Sequence, residues 1–182
     1  MIENSDEKSK VLLVDDELNV LRALTRLLRN YDITALTSAE EALLVVKAVK
    51  FDLVISDFRM PGMDGVTFLK NMLQTQPDAI RIILTGYADL ESAQMAINEA
   101  GVYRFINKPW NNIEIINAVS AGLEHKRILL ENSQLANQVR EQQKMLNEKD
   151  ALLNALEKEA PGITQVNWAD DGSIIVNESD YE

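Results

Sequence analysis

Cysteine is absent and histidine occurs once, at His125, among the 182 residues. Disulfides, thiolate zinc sites and histidine-rich metal sites are thereby excluded, so any bound metal takes oxygen ligands. No apolar run approaches the roughly 18 residues a membrane-spanning helix needs. The opening MIENSDEKSK carries no hydrophobic signal region, so a cytoplasmic protein without membrane contact is expected. Positive charge is scarce: 18 Lys and Arg stand against 29 Asp and Glu, a formal net charge of −11. Without a basic stripe to follow a phosphate backbone, no nucleic-acid partner is expected. Residues 161–182 hold five acids, Asp170, Asp171, Glu178, Asp180 and Glu182, and no Lys or Arg. Glycine and proline are also few, and neither occurs between Gly122 and Pro161, so nothing there breaks a helix.

What is present is a hydrophobic content of 46%, sufficient for a real core, arranged in alternating periods. Residues 10–15 form an apolar run ending in acids, and Leu18, Leu21, Leu24, Leu27 and Leu28 follow at helical spacing within 16–30. A strand at 32–36 precedes a helix at about 39–49, where Ser38 with Glu41 three residues on forms a capping-box pattern. A strand at 51–56, a loop from Asp57 to Asp64 and a helix through Val66, Leu69, Met72 and Leu73 come next. The pattern closes with strands at 79–85 and 102–106 around a helix from about Asp89. Five strands alternating with helices imply an α/β fold, a doubly wound five-stranded parallel sheet covered on both faces. KVLLV and DLVIS lack polar alternation, as doubly covered strands should.

Polar residues close four of these runs: Asp15 and Asp16, then Asp57, Thr85, and Lys108 with Pro109. In such a sheet the ligand crevice lies beyond the carboxyl ends of the strands, and all of these groups fall on that edge. Asp32, Asp52 and Asp78, at the opposite edge, read as turn and strand-entry residues. Nearby carboxylates repel one another unless a cation compensates them, and Mg2+ suits hard oxygen ligands beside a phosphate. Lys108 offers a point charge to a transferred phosphoryl group and Thr85 a hydroxyl donor. Asp57 is then the natural nucleophile. Taken singly the same residues have plainer uses, with Asp16 or Thr85 as a helix cap and Phe105 as a core aromatic.

The ordered set of Asp15-Asp16, Asp57 with the following Met60-Pro61-Gly62-Met63-Asp64-Gly65, Thr85-Gly86 and Lys108-Pro109 resembles the receiver domain of two-component response regulators over about residues 10–124. The resemblance implies strand order 2-1-3-4-5, an order for which a receiver protein is a standing example. It also implies that Asp57 is the phosphoacceptor, supplied by a histidine kinase or phosphotransfer protein. Mg2+ would be held by Asp16, Asp57 and the backbone carbonyl of Arg59, with Asp15 assisting, while Thr85 and Lys108 bind phosphoryl oxygens. The Lys108–Pro109 bond would be cis, and Gly86 would leave access beside the site. Arg59 and Tyr87 would occupy positions that tune dephosphorylation. Thr85 and Phe105 would form the switch, by packing alone, since Phe lacks the hydroxyl of a tyrosine.

Three regions are expected: a receiver domain at 1–124, a helical coiled-coil extension at 125–160 and an acidic tail at 161–182. In the extension one heptad register places Asn132, Val139, Leu146 and Leu153 at a. Ile128, Leu135, Gln142, Lys149 and Leu156 then fall at d. Such a seam implies a homodimer, Asn132 favours parallel chains in register, and the competing reading is a helix folded onto its own receiver or another protein. His125 reads as a helix-surface or seam residue. In the tail, alternation around Asp171-Gly172 suggests a β-hairpin carrying Val166, Trp168, Ile174 and Val176. The expected function is a response regulator of a two-component phosphorelay, acting through protein contact and not as an enzyme beyond self-dephosphorylation. Alternatives are a phosphate sink or relay, the receiver portion of a cyclic-dinucleotide signalling enzyme, and a Mg2+-dependent phosphohydrolase, the last disfavoured by the missing D-x-D loop.

Overall fold

The computed structural model describes residues 8–86 and 100–159. Its elements are β1 (Lys10–Val14), α1 (Leu18–Leu27), β2 (Asp32–Leu36), α2 (Ala39–Ala48), β3 (Leu53–Asp57), α3 (Gly65–Thr75), β4 (Ile80–Gly86), β5 (Arg104–Lys108) and α4 (Asn112–Glu159). All pairings are parallel and the strand order is β2-β1-β3-β4-β5. This is the expected α/β sheet. The helix expected from about Asp89, the position of Tyr87 and the hairpin around Asp171-Gly172 lie outside the described residues.

Because successive strand residues point to opposite faces, β1 divides its side chains between two cores. Leu12 and Val14 join Val54, Ile83 and the α2–α3 residues Ala42, Val46, Phe68, Leu69 and Met72. Val11 and Leu13 join Leu53, Ile55, Ile82 and Leu84 beneath Leu21 and Leu24 of α1 and Ile115, Ala118 and Val119 of α4. Both faces of the central strands are therefore dry, which is why KVLLV and LVISD show no polar alternation.

Local chemistry sets the element ends. Ser38 accepts a hydrogen bond from the Glu41 N–H at 3.3 Å, capping α2. Asp64 accepts from the Thr67 N–H at 2.7 Å and caps α3. Asp16 caps nothing: the N-cap of α1 is Glu17, which makes no side-chain cap bond. The last strand begins two residues later than its apolar run, since pairing with β4 aligns Ile82 with Arg104 and Gly86 with Lys108. That register brings Lys108 into the sheet edge.

Gln76, buried just after α3, reaches across to the α2 end. Its amide donates to Val46 O at 2.6 Å and Val49 O at 2.7 Å, and its carbonyl accepts from Phe51 N–H at 2.8 Å. A helix terminus leaves carbonyls without intrahelical donors, and one side chain supplies them here. At the opposite sheet edge Asp52 accepts from the Lys10 N–H at 2.9 Å and pairs with Lys126 of α4 at 2.6 Å. It is a strand-entry residue that also ties down the last helix.

Two compact units divide the chain, one running through Leu130 and the other starting at Glu131. Within the first, Ile115, Ala118, Val119 and Gly122 of α4 are buried at helical spacing, and exposed His125 stacks on Tyr103 with ring centroids 5.4 Å apart. From Glu131 to Leu156 every helix residue is exposed.

Candidate functional site

The carboxyl ends of β1, β3, β4 and β5 bring Asp15, Asp57, Thr85 and Lys108 to one edge. Asp57 is the final residue of β3, aligned with Leu84, so its side chain is set by the sheet rather than by a loop. Thr85, fully buried, aligns with Asn107, and Gly86 with Lys108. The Lys108 ammonium lies 2.7 Å from Asp15 Oδ2 and 2.6 Å from Asp57 Oδ1. The remaining oxygens are also held: Asp15 Oδ1 accepts from the Glu17 N–H at 2.9 Å, and Asp57 Oδ2 from the Arg59 N–H at 3.0 Å. Thr85 donates its hydroxyl to Gly86 O at 3.2 Å. The Lys108–Pro109 peptide is cis.

Charge is unevenly compensated here. Burial pushes the Asp57 carboxyl above the usual carboxylate range, and Asp15 adds to the rise, while the Lys108 hydrogen bond and charge oppose it. Burial pulls the Lys108 ammonium down, but its bonds to Asp15 and Asp57 outweigh this and leave it raised. One ammonium therefore does not fully neutralise the buried negative charge. Asp16, next to Asp15, and Arg59 are exposed. Among the described residues no three acidic or histidine side chains stand together as a finished metal cage; the structure unites two of the three expected carboxylates. The donors brought together, the Asp15 and Asp57 carboxylates, are hard oxygens, and burial leaves the Asp57 carboxyl short of positive charge. That set fits Mg2+.

The loop after Asp57 is fixed by close approach. A Cβ on Gly65 would stand 1.9 Å from the Asp57 carbonyl oxygen and 2.9 Å from Ser56 Oγ, so only glycine lets α3 start against the acidic strand end. Gly65 N–H donates to Phe58 O at 3.0 Å, closing the loop. Gly62 adopts a left-handed φ of 79°, which side chains other than glycine rarely take. Its neighbour Met63 gives its N–H to Glu40 of α2 at 2.9 Å, and Glu40 also accepts from the Ser38 hydroxyl at 2.8 Å. The Ser38 bond is the chief cause that keeps the exposed Glu40 carboxyl below its usual range. Glu40 was not legible as a loop clamp, because a first-turn glutamate is ordinary helix chemistry. Phe105 is half-buried on β5 against the α2–α3 core, on the same strand face as Asn107. Asn107 Oδ1 is buried without a hydrogen-bond partner. The seam residues Ile128, Leu135, Val139, Leu146, Leu153 and Leu156 are exposed, as is Asn132.

Comparison with known proteins converges on one family. Residues 11–120 match the family model of the response regulator receiver domain. The hydrogenase transcriptional regulatory protein HoxA of Cupriavidus necator is 37% identical over 121 residues, covering 66% of this chain and 25% of that protein. The DNA-binding transcriptional regulator NtrC of Salmonella typhimurium is 31% identical over 121 residues, covering 65% and 26%. This chain thus spans about a quarter of the length of these curated relatives. Among solved structures, the signal receiver domain of an HD domain-containing protein from Pseudomonas fluorescens Pf-5 superposes with a TM-score of 0.65 at 37% identity, covering 69% of this chain and 93% of that one.

Proposed function

Since the chain belongs to the response regulator receiver domain family, we propose that it accepts a phosphoryl group on Asp57 and passes the signal on through protein contacts of its C-terminal helix. One observation carries this reading: Lys108 bridges the Asp15 and Asp57 carboxylates at 2.7 and 2.6 Å on the edge where Thr85 also lies, one residue before the end of β4. The donor is a phosphohistidine on a histidine kinase or phosphotransfer protein. An Asp57 carboxylate oxygen forms the new P–O bond as the donor's P–N bond breaks, and the electron pair leaves with the imidazole nitrogen.

The chain's own groups divide the work. The Arg59 N–H holds Asp57 Oδ2, which leaves Oδ1, the oxygen that now faces Lys108, as the attacking atom. Lys108, already placed beside that oxygen, follows the negative charge onto the phosphoryl group. The Thr85 hydroxyl exchanges its weak bond to Gly86 O for a phosphoryl oxygen, and half-buried Phe105 responds by repacking. Asp15, Asp16, Asp57 and the Arg59 carbonyl are the ligands for Mg2+, which when bound offsets phosphoryl and carboxylate charge. Residues 1–124 form the receiver, 125–160 the dimerising extension and 161–182 an acidic tail for a downstream protein. The site turns over only its own aspartyl phosphate, and a location in the cytoplasm suits a chain in which no described helix is long and apolar enough to cross a membrane.

The pairing of the helix with a second copy draws support from Leu135, Val139, Leu146 and Leu153, each between 49% and 63% exposed. Water-exposed leucines at seam spacing over several turns call for a partner. A net charge of −11 makes that partner and the downstream target proteins rather than nucleic acid. The test is labelling by a small phosphodonor with Mg2+, followed by intact-mass measurement. Wild type gains one phosphoryl group and Asp57→Ala gains none; equal labelling of the two would remove Asp57 as acceptor.

A further inference from the structure

Side chains on paired residues of neighbouring parallel strands lie side by side on one face of the sheet, with the strands about 4.8 Å apart. Thr85 of β4 and Asn107 of β5 are such a pair, on the face that carries Ile83 and Phe105. Their polar groups are poorly served. The Thr85 hydroxyl, on a fully buried residue, reaches only the carbonyl of the next residue, Gly86, at 3.2 Å. That is long for a hydroxyl donor, which favours about 2.7–2.8 Å. On the neighbouring strand Asn107 Oδ1 is buried with no hydrogen-bond partner among the described residues. A weakly used donor therefore adjoins an unused acceptor, and a buried acceptor left unmet is costly.

Resting on the reading that Thr85 binds the phosphoryl group of Asp57, we propose that Asn107 is a positioning residue that competes with that group for the Thr85 hydroxyl. In the unphosphorylated protein the hydroxyl exchanges between Gly86 O and Asn107 Oδ1, because its hydrogen rotates to suit the acceptor and a small side-chain rotation spans one strand spacing. A phosphoryl oxygen is a charged and therefore stronger acceptor, so it takes the hydroxyl once Asp57 is modified. The strand order fixes how Asn107 acts. β4 lies between β3 and β5, so Thr85 stands between the strand of Asp57 and Asn107, whose short side chain works through Thr85 and not on the phosphoryl group. Each bond that Asn107 makes to the hydroxyl favours the unphosphorylated arrangement and raises the threshold for the switch.

Beryllofluoride with Mg2+ is the probe, as a stand-in for a phosphoryl group on an aspartate, and its dissociation constant is read on the full chain by calorimetry. Asn107→Leu keeps the side-chain size without the acceptor, and should bind about fivefold more tightly than wild type, the worth of one neutral hydrogen bond. That gain must depend on the hydroxyl. In a Thr85→Val background Asn107→Leu should change affinity by less than about twofold, so the two substitutions are coupled in a double-mutant cycle. A bridging water, or a purely structural use of Asn107, gives equal effects in both backgrounds. Asn107→Ala is carried through the same cycle in case leucine disturbs the packing beside Phe105, and urea denaturation shows that each variant is folded. Unchanged binding by both variants overturns the proposal, and so does a gain that persists in Thr85→Val. Weaker binding also overturns it, since that result belongs to an amide nitrogen that supports the hydroxyl oxygen. Failure of wild type to bind, or binding that survives Asp57→Ala, overturns the phosphoryl site itself and the proposal with it.

Discussion

Replacing Lys108 with methionine removes the one cation between Asp15 and Asp57 while keeping an unbranched side chain of similar reach. The wild-type ammonium makes two charged contacts, at 2.7 and 2.6 Å. Hydrogen bonds to charged groups contribute about 1.5–3 kcal/mol each. The lysine side chain keeps 21% of its exposure while its partners keep 1% and 10%, so water attenuates the lysine end and the lower bound applies. A loss of about 3 kcal/mol near neutral pH follows, in line with breaking a largely buried pair from one side. The pH dependence has a definite sign. Asp57 is already raised by burial, with Lys108 opposing the rise, and the substitution raises it further. A carboxyl whose pKa is higher folded than unfolded stabilises the fold below its unfolded value, and that contribution is lost as pH rises through the folded value. Lys108 itself, raised above 10.5, contributes stability that is complete below its unfolded pKa and lost only as pH rises through its folded one. Wild type thus keeps its ammonium across the neutral range, while the variant carries uncompensated carboxylates there and sheds the strain on acidification. Urea denaturation of both proteins at about pH 7.5 and about pH 4.5 reads the difference. A deficit of about 1 kcal/mol or less at the higher pH, or one that fails to shrink at the lower, refutes the charge account.

Gln76→Leu leaves Val46 O, Val49 O and Phe51 N–H without their partner, and should lower unfolding free energy by about 3 kcal/mol at unchanged m-value. Gly65→Ala forces a Cβ to within 1.9 Å of the Asp57 carbonyl oxygen. Overpacking of that kind costs about 3 kcal/mol, and donor labelling should slow because the displaced backbone carries Asp57. Mg2+ at about a hundred times its dissociation constant should stabilise wild type by about 2.7 kcal/mol; Asp57→Asn should abolish that increment in thermal melts, and an undiminished increment would place the ion elsewhere.

Much of this molecule is legible in its amino-acid order. The apolar runs at β1 and β3 predict strands covered on both faces, because VLLV and LVI carry no polar side chain on either face. The family-like order of Asp57, Thr85 and Lys108 points to a single edge, since parallel strands with right-handed crossovers carry their carboxyl ends to the same side. Boundaries were less readable. The apolar residues Val102 and Tyr103 suggest a strand at 102–106, yet β5 runs from Arg104 to Lys108 because its register is dictated by β4. Asp16 has the chemistry of a helix cap but remains outside α1, where Asp15 bonds the Glu17 N–H instead.

Side chains acting across distance in sequence are a different matter. Gln76, Glu40 and Asp52 look like an ordinary helix end, first-turn acid and strand entry, and each works through a partner at least 23 residues away. Composition and period by themselves determined the doubly wound sheet, the acidic edge and the long helix, because burial and hydrogen bonding along a regular element repeat with the element. Tertiary structure alone decided that one ammonium joins Asp15 to Asp57 and that the acceptor loop is closed by Gly65 and clamped by Glu40. Those facts depend on register and close approach between distant segments, which no local period encodes.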